Sequence, residues 1–83
     1  MQTFTLAEVA IHKDATSGMY LVIDHGVYDI TNFVDDHPGG SKIIQRFAGK
    51  DATKQFWKYH SEDVMKKYGT KLKIGEIRDK AKL

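Results

Sequence analysis

The sequence predicts an α+β domain, a small mixed sheet with two helix hairpins set against it. Three observations carry this. The stretch "MYLVIDHGVYDI" places two short β-branched, alternating runs on either side of a "DHG" turn, the pattern of a β-hairpin. From residue 41 onward, three short segments space their apolar residues three and four apart, as helix faces do. A final short run, "KLKIGEI", returns to strand-like residues.

The elements follow in order. Thr5 and Glu8 have capping-box spacing, and Leu6, Val9 and Ala10 then form the apolar side of a short helix. "KDATSG" is a loop, Tyr20 to Ile23 a strand, and "VYDI" its hairpin partner. "TNFVDDHPGG" is a loop with a possible helical turn near Thr31 to Val34. "SKIIQRFAG" opens on Ser41 as N-cap and stops at Gly49. "KDATKQFWKYH" opens on Asp51 as N-cap and runs to about Lys58. "SEDVMKKYG" opens on Ser61 and stops at Gly69.

The 83 residues suit one domain, taken here as 1–83. A chain this short leaves much of its surface exposed and gains from a staple. It has no cysteine, so disulfides and thiolate metal sites are excluded, and a bound cofactor is the remaining internal option. Apolar residues at 41% and charged residues at 29% are ordinary for a soluble globular protein. No apolar run is long enough to span a membrane, and the N-terminus lacks a signal-peptide pattern. The expectation is a soluble, cytoplasmic monomer without a membrane anchor.

Charge is uneven along the chain. Residues 1–36 hold six acids and one lysine, residues 37–68 seven bases and three acids, and residues 69–83 five bases and two acids. A mixed, solvated surface is the plain reading and a basic docking face the sharper one. The lysines are spread out with no nucleic-acid motif, so nucleic-acid binding is not expected.

"DDHPGG" raises the functional question. Proline and glycine explain themselves as turn formers, but His37 at the tip of such a turn does not. Downstream, Ile43, Ile44, Phe47 and Ala48 mark one apolar helix face, and Ala52, Phe56 and Tyr59 another. The loops at the tips of these helix hairpins carry His37 and His60. Two imidazoles across an apolar slot could coordinate one iron from both sides, with the helix faces holding a porphyrin. Gly39 and Gly40 have no side chains to strike it. A lone histidine is ordinarily a surface or capped one, and His12 and His25 take that reading.

The stretch "YLVIDHGVYDITNFVDDHPGG" followed by "AGKDATKQFWKYHS" resembles the cytochrome b5 family, and the likeness runs from Phe4 to Ile77. The resemblance implies a non-covalent haem b (iron protoporphyrin IX) with His37 and His60 as axial ligands. It implies a pocket lined by Ile23, Ile30, Phe33, Pro38, Gly39, Gly40, Ile43, Ile44, Phe47 and Phe56; ordinary core packing is the alternative for each apolar one. The carbonyls of Gly40 and Phe56 would accept from the second ring nitrogens of the two ligands. Ser61 matches a serine that can bind a haem propionate, with a helix cap as its alternative. Tyr59, Val64 and Tyr68 fall at the pocket with an alignment open by one residue.

The spacing before His60 is closer to fungal members and to the haem domains of flavohaem dehydrogenases than to the microsomal form. Tyr20 stands where many members have tryptophan, in the smaller core away from the haem. The acids expected around the haem edge, Asp35, Asp36, Glu62 and Asp63, are interrupted by Lys42, Lys54, Lys58 and Lys66.

Ligation by two histidines leaves the iron no open position, so the implied function is one-electron transfer and not catalysis by this chain alone. The implied donor is a flavin-dependent reductase, and the implied acceptor a cytochrome, desaturase or oxygenase. Three alternatives stay open: a haem domain excised from a larger flavohaem enzyme, a steroid-receptor-like haem or ligand-binding module, and a zinc site. The presence of both histidines argues against the second, and the want of a well-placed third ligand against the third.

Overall fold

Strands β3 (Gly18–Ile23) and β4 (Gly26–Asp29) form the antiparallel hairpin that the alternating sequence predicts, with Tyr20 opposite Asp29 and Ile23 opposite Gly26. The fold is that of a computed structural model, which describes residues 2–14, 16–33 and 41–78. Asp24 and His25 make the turn with φ of 50° and 69°, the left-handed pair a tight hairpin requires. Two strands at the sheet edges were not found by the sequence reading. β1 (Gln2–Phe4) pairs parallel with β5 (Lys73–Ile77), and β2 (Lys13–Asp14) pairs with β3. The sheet order is β1-β5-β4-β3-β2, a mixed sheet with β1 and β2 at its edges.

Helix α1 (Leu6–Ala10) opens with the full capping box: Glu8 N–H donates to Thr5 Oγ1 at 3.0 Å, and Thr5 N–H donates to Glu8 Oε1 at 2.7 Å. Helices α2 (Ser41–Gln45), α3 (Thr53–Tyr59) and α4 (Glu62–Leu72) follow the sheet hairpin. Their boundaries correct the sequence reading in four places. Ser41 is the first helical residue of α2 and not the residue before it. Ala52, not Asp51, precedes α3, with no side-chain cap. The Asp51 carboxylate still accepts from Thr53, but its backbone is drawn to β3 through the bridge to Val22. α2 ends at Gln45, short of the expected stop at Gly49, and the chain continues through turns over 46–49. Gly69 does not stop α4, because its carbonyl accepts the Lys73 N–H in an ordinary helical bond and the helix continues to Leu72, which packs on the core.

Gly49 does stop its helical turn. Its φ of 81° turns the chain back onto β3, where Gly49 N–H donates to Tyr20 O at 2.6 Å. Val22 N–H then donates to Lys50 O, and Ala52 N–H to Val22 O. Residues 49–52 thus lie along β3 and set the starting point of α3.

The period of two along the strands divides the core. Met19, Leu21, Ile23 and Tyr28 join Ile30, Ile44, Ala48 and Ala52 in one cluster. Val22 and Val27 join Val9 and Ile77 in the other, with Phe4, Tyr20 and Ile74 packed against it. Tyr20 therefore sits in the core away from the helices α2 to α4, as expected. No described residue that is polar or charged is buried.

Candidate functional site

The helical lobe is where the sequence-derived site residues meet. Ile23 comes from β3, Ile30 from the end of β4 and Ile44 from α2, and all three are buried in the first cluster. Phe33, Phe47 and Phe56 are partly buried and packed against it, as are Met65 and Leu72. Half-buried aromatic rings on a wholly apolar floor fit a flat apolar group better than they fit a polar substrate.

His60 ends α3. Its backbone is extended (φ −131°, ψ 150°), and its N–H donates to Phe56 O at 2.9 Å. The imidazole is half-buried, with its centroid 5.0 Å from that of the Phe56 ring at a tilt of 38°. The Phe56 carbonyl, expected to accept the second ring nitrogen, is thus at the base of the same turn. An imidazole donor on an apolar lobe is the donor set a haem iron accepts, so these residues fit that group.

Other expected residues are more scattered. Val64 and Tyr68 are half-buried on α4, and the Tyr68 ring lies 5.0 Å from Phe33. Ser61 occupies the position before α4 but makes no side-chain cap; its carbonyl accepts Val64 N–H at 3.1 Å. Tyr59 is 70% exposed, its ring beside Lys58 Nζ, and does not join the apolar cluster. His37, Pro38, Gly39 and Gly40 lie outside the described residues, as do Val34, Asp35, Asp36 and the side chain of Ile43. A cleft of about 220 Å³ opens beside Phe33, between Asp29, Asn32, Lys71, Leu72 and Ile74, and Phe33 is its one expected pocket residue.

His12 and His25 take ordinary roles. His12 stacks on Tyr20 at 4.1 Å, with Nδ1 2.5 Å from Ser17 O, and His25 lies in the hairpin turn. Among the described residues no three histidine, cysteine or acidic side chains converge as a metal cluster.

Two features of the lobe were missed by the sequence reading. Tyr28 points its hydroxyl to Met65 Sδ at 3.4 Å, and burial pushes its phenol up from the ordinary value of 10.0. Trp57 donates its indole N–H to Asp24 Oδ2 at 2.7 Å. The second could be suspected from sequence, since a tryptophan on a short polar helix needs a partner for its N–H.

Comparison with known proteins places this arrangement. The family model described as the Cytochrome b5-like Heme/Steroid binding domain matches residues 5–78. A Neurospora crassa protein named as a candidate cytochrome b5 is 67% identical over 82 residues, covering 99% of this chain and 98% of that one. An Emericella nidulans NADH-cytochrome b5 reductase-like protein is 43% identical over 79 residues, which are 94% of this chain but 17% of that protein. The solved cytochrome b5 of Ostreococcus tauri virus 2 superposes with a TM-score of 0.82 at 41% identity, covering 90% of this chain and 95% of that one. No helix among the described residues is long and apolar enough to cross a membrane. With the apolar lobe, the terminal imidazole of α3 and these likenesses together, the chain belongs to the cytochrome b5 family of haem-binding electron carriers, with b-type haem as its cofactor.

Proposed function

We propose that this chain is a single-domain, one-electron carrier whose haem is held between His37 and His60. The observation that supports this most is the place of His60, a half-buried imidazole closing α3 beside Phe56, at the rim of an apolar lobe. His37 enters through the "HPGG" likeness alone. Ile23, Ile30, Ile44, Phe33, Phe47 and Phe56 exclude water from the site and orient the flat group. Val64 and Tyr68 border it from α4; Tyr59, being largely exposed, is left out. Bound in this way, the group supplies exchange of one electron between ferric and ferrous iron.

The described residues of the lobe offer binding and orientation of a flat apolar group, which suits a carrier and not by itself an enzyme. A flavin-dependent reductase is the proposed donor, and a cytochrome, desaturase or oxygenase the acceptor, with the carrier soluble in the cytoplasm. A second reading, the same domain working inside a larger redox enzyme, is favoured by the Emericella relative, of which the chain covers only 17%. The Neurospora relative, covered to 98%, favours the free carrier.

The test is a visible spectrum of the purified protein in both redox states, with carbon monoxide added to the ferrous form. Low-spin spectra in both states and slow or no carbon monoxide binding are expected. Rapid carbon monoxide binding by the unmutated protein would overturn ligation by two histidines.

A further inference from the structure

Helix α3 carries His60, yet it has seven residues and no side-chain cap at its start. Two turns of helix do not hold themselves in water. The hairpin turn between β3 and β4 grips it at two points. Asp24 N–H donates to Thr53 Oγ1 at 2.9 Å, on the first residue of α3. One turn later, Trp57 Nε1–H donates to Asp24 Oδ2 at 2.7 Å. The Thr53 hydroxyl in turn donates a hydrogen bond to Asp51 Oδ1, and Asp51 is bridged to Val22 of β3. Thr53 and Trp57 are four residues apart, hence on one side of the helix. Both attachments end on Asp24, whose φ of 50° is a conformation that aspartate tolerates better than most residues.

The contacts continue inward. The Trp57 ring stands edge-on to Phe56, with centroids 4.9 Å apart and planes at 85°, and Phe56 lies against His60. Two attachments on neighbouring turns fix the rotation of α3 about its own axis. That rotation is the motion that would swing the imidazole at its end. We propose that Asp24 and Trp57 are positioning residues that set the orientation of the His60 imidazole toward the haem. The proposal rests on the reading of His60 as an axial ligand. Trp57 is 37% exposed, so the pair contributes less by burying surface than by fixing an angle.

The test uses the haem-loaded protein and two variants. Asp24→Gly removes the carboxylate while keeping a backbone that accepts positive φ. Trp57→Phe removes the N–H while keeping a ring against Phe56. The readouts are the g-values of the ferric low-spin electron paramagnetic resonance signal, which report ligand orientation, and the rate of haem loss to a scavenging apoprotein. Each variant should shift the g-values and speed haem loss about fivefold to tenfold, the net scale of one ordinary hydrogen bond at a solvent-exposed site. The double variant should be no faster than the faster single one, because both remove the same link. Asp24→Asn, which keeps an oxygen acceptor, should restore most of the wild-type signal. Unshifted g-values with haem loss changed less than twofold, even if the melting temperature falls, would overturn the proposal, as would additive effects in the double variant. His60→Ala separates the two layers. If it loses the low-spin signal while the clamp variants show unshifted g-values, only the positioning role fails; if it keeps the signal, the ligand reading fails and the proposal with it.

Discussion

Two single truncations, Val27→Ala and Ile44→Ala, should separate the two cores of this domain. Val27 is fully buried in the cluster built on α1, β3, β4 and β5, and Ile44 is 9% exposed in the cluster beneath α2, α3 and α4. Val27→Ala removes two methyl-sized groups, about 1.6 kcal/mol of transfer free energy at roughly 0.8 kcal/mol each. A residual cavity brings the cost to about 2–3 kcal/mol. Ile44→Ala removes three such groups and should cost about 2–4 kcal/mol, at the lower end of the usual range because its site is at the cluster edge. For a domain of this size each kcal/mol lowers the melting temperature by about 4–8 °C. Both variants should therefore melt at least 8 °C below the parent. They should differ in haem retention. Val27→Ala should leave the rate of haem loss within about twofold of the parent, because its cluster lies on the other face of the sheet. Ile44→Ala should speed haem loss at least tenfold, because it hollows the floor under the aromatic rings. Thermal melts with and without haem, and transfer of haem to a scavenging apoprotein, measure both. Equal acceleration of haem loss by the two variants would refute the division into a haem-facing and a haem-independent core.

Three further outcomes are expected. His37→Ala and His60→Ala should each open the iron to carbon monoxide and weaken haem retention, which a ferrous carbon monoxide titration reads directly. Stability should decline as pH rises above about 10, because the unfolded chain loses the Tyr28 proton near that value while burial keeps it on in the folded state. The neutral phenol thus stabilises the fold below pH 10 and ceases to do so as pH climbs through its raised value. Tyr28→Phe should flatten this decline in alkaline urea melts, and an unchanged slope would exclude Tyr28 as its source. Electron transfer to a basic cytochrome should depend only weakly on salt, since Lys42, Lys54, Lys58 and Lys66 are exposed on the helices of the same lobe as the exposed Glu62 and Asp63. A steep fall in rate with salt would mean that the acids alone face the partner.

What could be read from the sequence was whatever is written in local pattern. The β3–β4 hairpin, the Thr5–Glu8 capping box and the three helix faces each follow from residues a few positions apart. The helix ends were less legible, because distant contacts decide them. Gly69 looks like a stop, yet Leu72 has apolar surface to bury, and α4 goes on to reach it. Asp51 looks like a cap, yet its backbone is held by Val22, some thirty positions earlier. Strand β1 is three residues long and gains its place only by pairing with β5 at the far end of the chain. Within the site, Ile23, Ile30, Ile44 and the phenylalanines were identifiable through the family likeness, whereas the Asp24–Trp57 link joins two elements whose proximity no local pattern records.

The same distances explain how so small a domain can hold so large a group. The sheet completes one core with Val9, Val22, Val27 and Ile77, and needs only itself and α1 to do so. The other face offers Leu21, Ile23 and Tyr28 to helices of five, seven and eleven residues, the first two too short to persist alone. Those two are not left to their own propensity. Gly49, Lys50 and Ala52 bond to β3 between them, and Asp24 takes hold of α3 from the hairpin turn. The β3 strand is therefore the common reference for both cores and for the entry of α3. A haem bound among Phe33, Phe47 and Phe56 would add stability to the helical face by mass action while meeting a sheet already fixed by its other core. Loss of the group should then loosen α2 and α3 before it loosens the hairpin, since only the helices depend on both sides of their packing.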